Sequence, residues 1–252
     1  MYKQIFLKRG KEESLKRFHP WIFSGAIHHM DEGIEEGETV RVITAAGEFI
    51  AVGHYQIGSI AVRVLSFEDI EINTDFWCER LQSALDVRIG VGIADSPTNN
   101  TYRLVHGEGD YLPGLVIDCY GSTAVMQAHS VGMHVCRNEI CQALVQVMGD
   151  RIANVYYKSE TTLPYKADLH QENGFLVGGD ASNVAIENGL KFHIDWLRGQ
   201  KTGFFVDQRE NRSLLETYSA GRSVLNMFCY TGGFSVYAMR GGAKLVHSVD
   251  SS

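Results

Sequence analysis

Residues 224–250 read VLNMFCYTGGFSVYAMRGGAKLVHSVD. VLNMF has the length and apolarity of a buried strand, YTGGFS is a turn, and FSVYAMR is a short helix stopped by Gly241 and Gly242. KLVHSVD is a second strand. A helix precedes the unit within GQKTGFFVDQRENRSLLETYSAG (199–221). There Asp207 and Glu210 have capping-box spacing, Leu214, Leu215 and Tyr218 supply an apolar face, and Gly221 marks the end. The order is αβαβ, which implies a parallel sheet with right-handed crossovers.

Open parallel sheets bind ligands at the carboxyl ends of their strands, where Tyr230 to Gly233 fall. Gly232 and Gly233 remove side chains where a ligand meets backbone. Asp250 follows Gly232 by 18 residues, close to the spacing at which an acid reaches ribose hydroxyls. A dinucleotide site wants GxGxxG, so that a pyrophosphate can rest on the helix N-terminus. Neither the first nor the third glycine is present, and Phe234 would crowd a diphosphate. S-adenosylmethionine carries no phosphate and still uses the ribose acid, so it is favoured over NAD. A tight turn with no ligand is the bland alternative.

Working outward, residues 1–72 read as a small β-barrel. Val40, Val42 and Phe49, then Ile60, Val62 and Val64, keep the period of half-buried strands. Residues 73–190 read as a central α+β domain. It holds a helix capped near Asn73–Asp75 with Phe76, Leu81 and Leu85 inward, and paired strands within 102–129. A helix over 131–148 should turn Val131, Cys136, Ile140 and Leu144 to the core, with Val147 or Met148, and a hairpin is expected near 175–194. Glu108, Asp110 and Asp118 are taken for residues of an exposed turn. Residues 191–252 form the third segment, in which only two strands of a larger sheet can be fitted before Ser252. The fold class expected is multidomain α/β: a β-barrel, an α+β domain and the start of a Rossmann-like sheet.

The net charge of −7 argues against nucleic acid bound over the whole surface. The charge is uneven, however: Lys3, Lys8, Arg9, Lys11, Lys16 and Arg17 precede the acidic run DEGIEEGE (31–38). A local basic patch still binds phosphates, because counterion release depends on the charges contacted. Lys8, Arg9, Lys11 and Arg17, beside Trp21 of HPWIF, suit phosphate contact plus base stacking. A solvated charged arm and a core-packed Trp21 or Phe23 are the plain alternatives. The five cysteines form no CxxC pair and the histidines are scattered, so no metal site is expected. No signal peptide and no membrane-length apolar run is legible, which leads us to expect a cytoplasmic protein.

With these motifs in view, the sequence resembles class I S-adenosylmethionine-dependent methyltransferases. VLNMFCYTGGFSVYA with VDSS is similar to their first motif and ribose acid. GQKTGFFVDQRENR, LKRGKEESLKRFHPWIFSGAI (7–27) and YRLVHGEGDYLPGLVIDCYG (102–121) are similar to one branch. Those enzymes methylate large-subunit ribosomal RNA at carbon 5 of cytosine and carry an N-terminal PUA domain. The resemblance implies that Thr231, Gly232 and Gly233 lie beneath the methionine end of the cofactor. It implies that Asn226, a cofactor-binding residue, stands where many such enzymes have an acid, that Phe228 and Tyr230 shape the pocket, that Asp250 holds the ribose, and that Gln208 and Arg209 close the site. Carbon-5 chemistry needs a cysteine thiolate that adds to carbon 6 and a base that removes the carbon-5 proton. In the family these follow the ribose acid, so the catalytic residues are expected beyond Ser252. The expectation is therefore an N-terminal part with no catalytic residue of its own, since Cys229 reads as a packing residue. RNA is the partner implied, a homodimer a fair expectation, and a non-catalytic RNA-binding protein the second reading.

Overall fold

The computed structural model describes residues 2–164, 169, 172–179 and 182–251. Ser252, the position beyond which the catalytic residues are expected, lies outside the described residues. The N-terminal strands are β1 (Lys3–Leu7), β2 (Trp21–Phe23), β3 (Ile27–Met30), β4 (Thr39–Ile43), β5 (Phe49–Tyr55) and β6 (Ile60–Ser66). They form one sheet in the order β2-β6-β5-β4-β1-β3, in which β1 and β4 are parallel and the other pairs antiparallel. The period-two pattern is the cause. Val40, Val42, Val62 and Val64 are buried with Ile5, Leu7 and Ile22 in one core, while Phe49 and Ile60 are half-buried.

The central strands are β7 (Thr101–His106), β8 (Leu115–Tyr120), β9 (Thr123–Ala128), β10 (Asn154–Tyr157) and β11 (Gly174–Val177), in the order β11-β10-β9-β8-β7. Helices α1 (Thr74–Gly90), α2 (Val131–Val135) and α3 (Arg137–Met148) accompany them. Asn73 caps α1 by accepting a hydrogen bond from the Phe76 N–H. Phe76, Trp77, Leu81 and Leu85 pack with Ile140 and Leu144 against one face of the sheet. The expected single helix over 131–148 is divided, because Cys136 has a near-zero ψ of 4° between α2 and α3. The expected hairpin near 175–194 is also revised. Gly174–Val177 pairs with β10, and the hairpin is β12 (Val184–Glu187) with β13 (Leu190–His193). Positions 180 and 181 lie outside the described residues.

The third segment follows, with α4 (Arg209–Tyr218), β14 (Ser223–Met227), α5 (Gly233–Arg240) and β15 (Leu245–Val249). Strands β14 and β15 are parallel, with Asn226 opposite Ser248. The segment rests on the second face of the central sheet, where Tyr120, Val125 and Tyr156 meet Phe192, Trp196, Phe204 and Tyr237. Two details of α4 differ from the expectation. Gln208, not Asp207, is the N-cap position, and no side chain caps the helix. Leu214 and Tyr218 are exposed, whereas Arg212 is buried, because the stripe facing the protein runs through Arg212 and Ser219. Among the described residues no helix is long and apolar enough to cross a membrane, and no His, Cys, Asp and Glu cluster could hold a metal ion.

Candidate functional site

The glycine turn closes one wall of a cavity of about 80 Å³, whose other wall comes from the loop before α4. Phe228, Tyr230, Thr231 and Gly233 line it from the turn, with Phe205 and Gln208 opposite. The turn is sharp: Phe228 and Tyr230 have φ of 57° and 46°, and Gly232 has φ of 73°. For Gly232 this left-handed backbone costs nothing in sterics. At Gly233 a Cβ would lie 3.1 Å from the Arg212 side chain, so a glycine lets α5 start close against α4.

Asp250, at the end of β15, accepts a hydrogen bond from the Tyr230 N–H at 2.7 Å, so the acid stands beside the turn. The Tyr230 hydroxyl donates to the Gly203 carbonyl at 3.1 Å and accepts from the Gln200 N–H at 2.8 Å. The turn is thereby fastened to the 199–203 loop. That loop is fastened to the central domain in turn. Thr202 donates to the buried Asp118 carboxylate at 2.6 Å, and Asp118 holds Arg103 through two contacts of 2.8 and 2.9 Å. Asp118 is therefore a fully buried strand residue and not part of an exposed turn. Asp110 differs from that expectation too, since it is largely buried and paired with Arg88. Lys158, mostly buried, donates to the Gly199 carbonyl, and burial lowers its pKa.

Two residues expected at the pocket stand elsewhere. Arg209 reaches the Thr101 carbonyl of β7, because the first turn of α4 faces the central sheet. Asn226 donates to the Ser235 hydroxyl at 2.8 Å and lies buried between β14 and α5. Arg212 lines the pocket in Arg209's place. Its guanidinium makes two contacts, of 2.8 and 2.7 Å, with the fully buried Glu187, which also accepts from Tyr237 at 2.9 Å. Burial, then Glu187, raise the Tyr237 pKa. The sequence held one signal of this cluster. Ala185 and Glu187 share the inward register of β12, so a carboxylate stands at a core position and needs a cation.

On the N-terminal barrel, Lys8, Arg9, Lys11 and Arg17 are all exposed. Lys11 and Trp21 line a cavity of about 300 Å³ with Phe23, which is 49% exposed. Trp21 is half-buried, and its indole N–H donates to Glu108 of the central domain at 2.9 Å. The barrel and the central domain meet again at His54. This side chain is fully buried against Gly132, where a Cβ would clash with the ring, and its Nε2 lies 3.7 Å from Cys136 Sγ. Burial, aided by Arg63, pushes the His54 pKa down to about 4. Burial also raises Cys119 and Cys136 to about 12 and Cys141 to about 11, so all three are neutral thiols.

The fold is a βαβ unit with a cavity at its glycine turn, seated on an α+β domain and joined to a β-barrel. Residues 5–67 match the model of the PUA-like domain, and residues 165–252 match that of S-adenosylmethionine-dependent methyltransferases. Over its whole length the chain is 41% identical to ribosomal RNA large subunit methyltransferase I of Vibrio parahaemolyticus, and 40% identical to that of Aliivibrio fischeri. It spans 63% and 64% of those proteins. It superposes with a TM-score of 0.82 and 27% identity on a Streptococcus mutans protein assigned as a SAM-dependent methyltransferase, covering 99% of this chain and 63% of that one. A structure of an assigned methyltransferase with the same measures was solved with SAH. The chain thus carries one region similar to a PUA-like domain and another similar to an S-adenosylmethionine-dependent methyltransferase domain.

Proposed function

We propose that the protein carrying these residues methylates large-subunit ribosomal RNA, using S-adenosylmethionine held at the 228–234 turn. The observation that supports this most is the convergence of Phe228, Tyr230, Thr231 and Gly233 with Gln208 around one cavity, with Asp250 beside it. These residues fit the cofactor. The left-handed Gly232 clears the turn, and a carboxylate at a strand end suits two ribose hydroxyls. The cavity is small enough to hold one end of such a molecule, which leaves the ribose and base on the open side near Asp250.

The cofactor supplies an activated methyl group; the chain's own part is to bind and orient. Asp250 accepts from the ribose, and Tyr230 keeps its position because its hydroxyl is tied to the 199–203 loop. Lys8, Arg9, Lys11 and Arg17 attract RNA phosphates, and Trp21 offers a ring edge beside them. Carbon 5 of cytosine is the target that the family resemblance implies. That chemistry needs a thiolate, whereas Cys119 and Cys141 are buried, Cys136 is half-buried, and burial keeps all three protonated. The nucleophile then comes from residues other than these three, and on this reading it follows Ser252 in a longer protein. The same reading has the protein in the cytoplasm with its RNA; light scattering over a range of concentrations tests the expected homodimer.

Titration calorimetry with S-adenosylhomocysteine tests the cofactor site. Asp250→Ala should weaken binding roughly tenfold or more, the loss expected for a charge-assisted hydrogen bond. Unchanged affinity in that variant would remove Asp250 from the site. Replacing Lys8, Arg9 and Lys11 together with alanine should weaken RNA binding and flatten its salt dependence.

A further inference from the structure

The PUA-like barrel and the central domain together line a second, open cavity of about 270 Å³, away from the glycine turn. Arg63 of β6 forms one wall, and His106, Glu108 and His129 of the central domain face it across the apolar Leu115 and Val116. The Arg63 guanidinium donates to the neutral Gln56 amide at 3.1 Å, and among the described residues it has no carboxylate within ion-pair distance. Its charge is partly desolvated by burial and only partly balanced by Glu108. Glu108 accepts from the Trp21 indole N–H through Oε1, and among the described residues Oε2 has no hydrogen-bond partner. His106 Nδ1 stands 3.3 Å from Arg103, which can only donate, so Nδ1 accepts and the ring's donor is Nε2–H.

This wall chemistry is mixed. A phosphate would meet the Glu108 carboxylate, and it would fill a small part of the volume. A neutral planar group with acceptors on one edge and N–H donors on another satisfies both charged ends. Among nucleobases guanine has that pattern: Arg donates to O6 and N7, and a carboxylate accepts from the N1 and N2 hydrogens. Single-stranded RNA supplies such bases unstacked, and proteins read them on those edges.

We propose that this interdomain cavity is a recognition site for an unstacked guanine of the RNA, with Arg63 and Glu108 as its specificity residues. The inference rests on the RNA-binding reading above and adds a base-specific subsite to it. Arg63 comes from the barrel and Glu108 from the central domain, so the site exists because the two domains are docked.

The test uses the 252-residue chain and three fluorescein-labelled oligoribonucleotides: an oligouridylate, the same with one central guanosine, and the same with one central inosine, which lacks the N2 amino group. Guanosine should tighten binding roughly tenfold over the oligouridylate, and inosine should lose most of that gain. Glu108→Gln keeps an acceptor for Trp21 and replaces the second acceptor with a donor. It should abolish the difference between guanosine and inosine while oligouridylate binding stays at the wild-type level. Arg63→Met, with folding checked by its thermal melt, should also lose the guanosine preference. If oligouridylate binds and guanosine adds nothing, or if Glu108→Gln keeps the preference, the guanine site is overturned and RNA binding stands. If none of the three oligonucleotides binds, the RNA reading falls and the inference falls with it.

Discussion

Two of the parallel strand pairs of this molecule, β9 with β10 and β14 with β15, sit in opposite environments. Strands β9 and β10 lie within the central five-stranded sheet, every one of their residues is buried, and apolar clusters cover both faces. Strands β14 and β15 pair over five residues, yet Leu225 is 64% exposed and Leu245 50%. The order of the glycine turn therefore comes less from its own sheet than from contacts with the central domain. Polar links carry it, among them Thr202 to Asp118, Lys158 to the Gly199 carbonyl, Arg209 to the Thr101 carbonyl, and Arg212 with Tyr237 to Glu187. A buried charge cluster stabilises little in net terms, but removing one partner leaves the others unpaired.

The largest break in that arrangement should come from Glu187→Ala. It strands the buried Arg212 guanidinium and should cost about 3–5 kcal/mol in urea unfolding, with loss of cofactor affinity. A loss below about 1 kcal/mol would show that the turn is held by other contacts.

Next in size is a pH effect at the other interdomain contact. His54 has its pKa lowered to about 4 in the folded state, so between there and the ordinary value near 6.5 the unfolded chain binds more protons. Stability from this group is complete above about pH 6.5 and is lost as the pH falls toward 4, by up to about 3 kcal/mol. Replacing His54 with glutamine should flatten that part of the stability profile, measured by urea midpoints from pH 4 to 7. An unchanged slope would assign the acid sensitivity to other groups.

Gly132→Ala sharpens the comparison further. A methyl group there meets the His54 ring, and the overpacking should cost about 1–3 kcal/mol. Hydrogen exchange should report the loss at the barrel interface and leave β14 and β15 unaffected. The smallest effect belongs to the exposed sheet. Leu225→Ser should change stability by no more than about 0.5 kcal/mol, because the side chain already meets water. A much larger loss would mean that another surface covers β14.

The sequence by itself carried the strand–turn–helix–strand order of residues 224–250, because glycine pairs punctuate it and the apolar runs have the length of strands. It carried the N-terminal sheet too, since Val40, Val42, Val62 and Val64 repeat the period that β-structure imposes. Through spacing along one βαβ unit it brought Asp250 near the glycine turn, where the carboxylate accepts from the Tyr230 N–H. It misjudged α4, where Leu214 and Tyr218 suggest an apolar face and the protein buries Arg212 instead. It also misjudged Asp118, whose buried contacts lie with Arg103 and with Thr202 some eighty residues onward. The physical reason is the same in both cases. Periodicity records which side of an element avoids water when the core is apolar, whereas a charge is buried only where a partner from a distant segment neutralises it. That pairing, the docking of His54 against Gly132 and the cavity shared by Arg63 and Glu108 were decided by the tertiary structure alone.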